Sequence, residues 1–124
     1  MKLRSLLLIM FLLNAFAISA YAQTTLHEII STKPNPEKKL LIVEASCGQC
    51  HFGLPGKGCN LAVRIDSIAY FVDGTDIDSH GDSHAKDGFC ESIRTAEVQG
   101  ELINNRFQVS YFKLLKKSGN KKVN

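Results

Sequence analysis

Glu97–Leu115 reads EVQGELINNRFQVSYFKLL. Val98, Gly100 and Leu102 alternate with Glu97, Gln99 and Glu101. Phe107, Val109 and Tyr111 then alternate with Gln108 and Ser110. Alternation of this kind is the period of a strand with one buried face. Asn104-Asn105 separates the two runs, and Asn tolerates the positive φ of a two-residue type I′ turn. The stretch predicts an antiparallel hairpin.

Working outward, Leu61–Ile65 (LAVRI) puts Leu61, Val63 and Ile65 on one face. Asp66-Ser67 offers a second two-residue turn into Ile68–Val72. Lys39–Ser46, KLLIVEAS, is an earlier β-type run. Between the third and fourth runs, Phe89, Ile93 and Ala96 recur at helical spacing. They predict one short helix over 87–95, capped by Asp82 or Asp87. Strand, strand, strand, helix, strand, strand is the element order of the five-stranded OB barrel. The expected class is mainly β: an OB-like barrel, or equally a small open sheet with one short helix.

The ends of the chain read differently. Met1–Ala22 has a basic start (Lys2, Arg4), an apolar run from Leu6 to Phe16, and Ala20-Tyr21-Ala22 as a cleavage site. This predicts a cleaved leader over 1–22 and an exported protein, periplasmic or secreted. The run is shorter than the ~20 residues of a comfortable membrane span. No other run is longer, so stable membrane insertion is not expected after cleavage. Residues 23–38, with two prolines, predict a flexible arm, 39–116 the single β domain, and 117–124 a basic disordered tail.

A length of 124 residues bounds the chain to one domain, and 44% hydrophobic with 22% charged residues excludes a disordered or collagen-like chain. The net charge of +3 is a sum over unlike parts. Residues 113–124 hold five Lys and no acid, whereas residues 23–112 carry eight bases against twelve acids, or −4. Nothing here favours nucleic acid as a partner.

Chemistry concentrates in the cysteines. Cys47-Gly-Gln-Cys50-His51 follows the first strand, Cys59 precedes the second, and Cys90 lies in the predicted helix. His80 and His84 lie in the loop before it. Four chemistries fit. Two structural disulfides suit a small exported domain. A soft-metal site, zinc or copper, suits Cys47, Cys50, Cys59, His80, His84 and Cys90, because Cys-x-x-Cys puts two thiolates on one tight turn. Thiol–disulfide exchange at Cys47 and Cys50 is the third, although the Gly-rich HFGLPGKG that follows promises no helix dipole. Covalent haem is the fourth, since Cys-x-x-Cys-His matches the attachment pattern. Haem is disfavoured because no Met follows the leader and the chain is poor in helix.

Other motifs fail on inspection. Asp76, Asp78 and Asp87 approach an EF-hand spacing, but His80 stands at an oxygen-ligand position and Asp87 is shorter than the expected Glu. These aspartates read as turn and cap residues. Gly53–Gly58 lacks the spacing of a phosphate loop, and no Gly-x-Ser-x-Gly elbow occurs. With no catalytic set, the chain reads as a metal-binding module rather than an enzyme. A thiol-redox protein and a purely structural module stapled by two disulfides are the alternatives.

In order, CGQC, GKGC, LAVRID, YFVDG and HGDSHAKDGFC resemble a family of uncharacterised small exported bacterial proteins, over about residues 41–115. The resemblance implies no activity. It does imply that Cys47, Cys50, Cys59, His80, His84 and Cys90 act as one set. It also implies that a histidine at position 51 is not general among relatives, which weighs against haem.

Overall fold

The computed structural model describes residues 30–116. Five strands carry the fold: β1 (Leu41–Cys47), β2 (Leu61–Ile65), β3 (Ile68–Asp73), β4 (Arg94–Ile103) and β5 (Arg106–Leu114). They close a barrel in the order β1-β2-β3-β5-β4, with β4 returning to β1. Every pairing is antiparallel except β3 with β5, which is parallel and short: Val72 faces Phe107 and Asp73 faces Gln108. This is the arrangement of the OB barrel, and closure leaves no long free strand edge.

The two predicted tight turns form as their residues dictate. Asp66 and Ser67 have φ of 48° and 71°, and Asn104 and Asn105 have 50° and 60°. Positive φ at both central residues gives the twist that matches paired strands. The period-2 pattern then fills the interior with Val43, Ala45 and Cys47 from β1, Leu61 and Val63 from β2, and Val72 from β3. Ala96 and Val98 of β4 and Phe107 and Val109 of β5 complete it.

The structure corrects the sequence reading in three places. First, no helix forms over 87–95. Residues 82–92 run as consecutive tight turns, closed by Ala85 N–H to Asp82, Gly88 N–H to Ala85 and Ser92 N–H to Gly88. Arg94 and Ala96 already pair with Ala45 and Val43 of β1. A side chain at Gly88 would run into the carbonyl oxygens of Asp82 and Ser83, so the chain folds back too tightly there for a helix. Phe89 is buried nonetheless and joins the barrel core with Ile77. Ile77 lies in a single 3₁₀ turn, Ile77–His80.

Second, a one-turn helix, α1 (Gly48–His51), stands where a helix-free loop was expected. Third, the alternation along β4 breaks. The register shifts at Gln99/Gly100, so Gln99 faces Tyr111 and Gly100 faces Val109. A β-bulge re-aims side chains in this way. Leu102, expected inward, is 52% exposed, while Gln99 is buried. Gly100 is required because any Cβ would strike the Gln108 carbonyl and the Phe107 ring.

Of the expected arm, residues 30–38 are described, and they are hydrogen-bonded to the barrel. Ser31 N–H donates to the Ser110 carbonyl at 2.9 Å. The buried Gln99 amide accepts from Asn35 N–H at 2.7 Å and donates to the carbonyls of Asn35 and Lys38 at 2.8 and 2.9 Å. A buried amide needs its partners, and the arm supplies three. The predicted leader over 1–22 and basic tail over 117–124 lie outside the described residues. No helix among the described residues is long and apolar enough to cross a membrane.

Candidate metal centre

Three separate segments bring the four cysteines to one end of the barrel. Cys47 is the last residue of β1 and the N-cap of α1. N-caps present a side-chain acceptor to the free amides of the first turn. Here the acceptor is sulfur, and Cys50 N–H reaches Cys47 Sγ at 3.2 Å. Cys50 lies within α1, one turn on, with its Cα 5.2 Å from that of Cys47. The two are joined as a disulfide, while Cys59 and Cys90 are free thiols.

Backbone bonds hold the three segments in place. Gly48 N–H donates to the Asn60 carbonyl at 2.8 Å, which fixes the chain next to Cys59. The Gln49 side chain doubles that tie, accepting from Asn60 N–H at 3.0 Å and donating to Asn60 Oδ1 at 2.7 Å. Gly48 is buried against Phe71, Ala62 and Leu54, where a Cβ would come within 2.8–3.0 Å of each. On the other side, Cys47 N–H and the Ser46 hydroxyl both reach the Phe89 carbonyl, at 3.0 and 2.8 Å. Cys90 N–H donates to the Ser83 carbonyl at 2.9 Å.

The result is a compact sulfur cluster. The Sγ atoms of Cys47, Cys50, Cys59 and Cys90 all lie within 4.8 Å of one another, and Cys50 and Cys59 are 3.7 Å apart. Tetrahedral zinc at about 2.3 Å from each thiolate requires sulfurs about 3.8 Å apart. Iron–sulfur clusters spread their thiolates over several irons and need a wider cage. Among the described residues, no other group of His, Cys, Asp or Glu gathers in this way.

As a free thiol Cys59 ionises with difficulty. Burial, first, and then the adjacent Cys90 thiol and Asp78 push the Cys59 thiol up to about 12 from 9.0. A thiolate here needs a counter-charge, which a cation supplies, and its binding displaces protons.

The histidines stand outside this set. His80 packs its ring against Phe112, with centroids 4.3 Å apart, and its Nε2 meets Thr75 Oγ1 at 2.9 Å. Burial lowers its pKa. His84 is exposed, with Nδ1 3.3 Å from Ser83 Oγ. His51, the iron ligand in a haem reading, turns Nε2–H onto the Cys90 carbonyl at 3.0 Å. It works as a clamp on the segment that carries Cys90. Gly48, Gln49 and Ser46 support the centre without any sequence signal beyond adjacency to a cysteine, and the haem pattern that drew attention to His51 gave it a different role.

Four aspartates around the centre, Asp73, Asp78, Asp82 and Asp87, have partners within the protein. Asp78 accepts from the Ser83 hydroxyl at 2.6 Å, and Asp82 accepts from His84 N–H at 2.9 Å. Asp87 pairs with Arg94 at 3.4 Å. Asp73 meets Arg106 through two bonds of 2.7 and 2.8 Å, and the guanidinium holds its carboxyl below the usual range. They build turns and ion pairs around the centre.

No curated protein and no solved structure matches the chain. Over residues 41–115, which contain all four cysteines, the chain belongs to DUF6370, a family of unknown function.

Proposed function

We propose that this member of DUF6370 is an exported metal-binding module whose four cysteines take one zinc or copper ion. The observation that carries the reading is the convergence of four sulfurs from three segments within 4.8 Å. Reduced cysteines in that arrangement form an S4 ligand set, and soft thiolates select zinc or copper(I). Once the Cys47–Cys50 bridge is reduced, four thiolates gathered within 4.8 Å suit zinc, whereas copper(I) is satisfied by two or three. The Cys50 amide supports the charge on Cys47 as an outer hydrogen bond of the kind that steadies metal-bound sulfur. The leader over residues 1–22 supports export.

The bound ion ties the β3–β4 connection, through Cys90, to the end of β1 and the start of β2. In a barrel this small a metal staple substitutes for core. Metal analysis of protein purified without a His tag, under reducing conditions, tests the reading. About one zinc or copper per chain is expected, and less than about 0.2 per chain overturns it.

A further inference from the structure

We infer that the centre is also a thiol–disulfide exchange site, in which Cys50 attacks, Cys47 resolves, and a low-molecular-mass disulfide thereby expels the metal. The metal-release half of this inference rests on the reading above, and the order of attack does not.

The four sulfurs are not equivalent. Cys50 is exposed, Cys59 and Cys90 are half-buried, and Cys47 is fully buried. A disulfide arriving from solution therefore meets Cys50 first, because exchange rates depend on access as well as thiolate character. Cys47 lies directly behind it, three residues back on the same turn. Their Cα separation of 5.2 Å sits within the span a disulfide bridges. The structure joins this pair while holding Cys59 and Cys90 reduced beside it. The bridged pair and the S4 ligand set thus use the same two sulfurs, and one state excludes the other.

The step balances as follows for a disulfide RSSR. The Cys50 thiolate attacks one sulfur of RSSR, a Cys50–SR bond forms, and the S–S bond of RSSR breaks. The RS⁻ released takes a proton from water. The Cys47 thiolate then attacks Cys50 Sγ, the Cys47–Cys50 bond forms, and the second RS⁻ leaves. Two thiolates lose two electrons and RSSR becomes two thiols. The metal keeps its charge and retains only Cys59 and Cys90, since a disulfide sulfur is a poor ligand. With half its ligand set gone, it dissociates.

The test loads the reduced full chain with zinc and adds oxidised glutathione. Released zinc is followed with a chromophoric chelator, and thiols are mapped by alkylation and peptide mass. The expected result is one zinc released per chain in step with one bridge, mapped to Cys47–Cys50, with Cys59 and Cys90 alkylated. Early quenching is expected to show glutathione on Cys50, and Cys47→Ser combined with Cys59→Ser, which also removes the free thiol 3.7 Å from Cys50 Sγ, is expected to arrest there. Cys50→Ser should slow the reaction at least tenfold. Because a buried Cys47 substitution can impair folding, the early-quench map of the unaltered chain decides independently. Glutathione first on Cys59 or Cys90, or zinc retained after the Cys47–Cys50 bridge forms, overturns the inference. A reduced chain that takes up no zinc fails the metal reading, and the adduct map still decides the order of attack.

Discussion

His80 shows how a residue that looks like a ligand is used otherwise. Its ring lies against Phe112 and edge-on to Phe89, and it is half-buried there. Desolvation lowers its pKa from 6.5, so the unfolded chain takes up this proton at a higher pH than the folded chain. The stability it contributes is complete above about pH 6.5 and declines as pH falls from there towards the folded value. Melting temperatures of the oxidised, metal-free chain between pH 7.5 and 5.5 should fall for the native protein. The fall should be shallower for His80→Gln. An identical slope in both would remove His80 from the account. Asp73 acts in the same direction at lower pH, because Arg106 holds its carboxyl down and that pairing is lost on acidification.

At the scale of elements, the β4–β5 hairpin was legible because Asn104-Asn105 and the alternation about it satisfy strand and turn chemistry locally. The same holds for Asp66-Ser67 between β2 and β3. The bulge at Gln99/Gly100 was not legible, since its cause is the close approach of Gln108 and Phe107 from the partner strand. Nor was the pinning of the arm, which depends on a buried amide 64 residues away from Asn35. Helical spacing at Phe89, Ile93 and Ala96 misled because Ala96 answers to the β1 ladder and Ile93 lies 39% exposed. Gln99→Ala removes all three bonds to the arm. It should cost about 1–3 kcal/mol in denaturant unfolding and raise hydrogen exchange at residues 31–38. Unchanged exchange in that segment would mean that the Ser31 bridge alone holds it.

At the scale of the molecule, the candidate site was half legible. Cys-x-x-Cys and two further cysteines announced soft-ligand chemistry, but which of six candidates meet is a property of closure. The barrel brings the β1 end beside the β2 start through antiparallel pairing, with Cys47 opposite Leu61. The backbone bonds to Phe89 then deliver Cys90 and leave His80 on the Phe112 face. On the proposed reading, a bound metal clasps the connection to the barrel through Cys90. Removing zinc from the reduced, loaded chain with a chelator should lower the melting temperature and raise exchange across residues 77–93 more than in the strands. A uniform change, or none, would separate metal binding from that clasp.

Cobalt(II) reads directly whether the four sulfurs act together as one ligand set. Titrated into the reduced chain, cobalt should bind at about one per chain with the intense visible bands of tetrahedral coordination and strong sulfur-to-metal charge transfer. Zinc should abolish both, and serine at Cys59 or Cys90 should weaken the charge-transfer band. A weak, aqua-like cobalt spectrum, unchanged by those substitutions, would contradict the account.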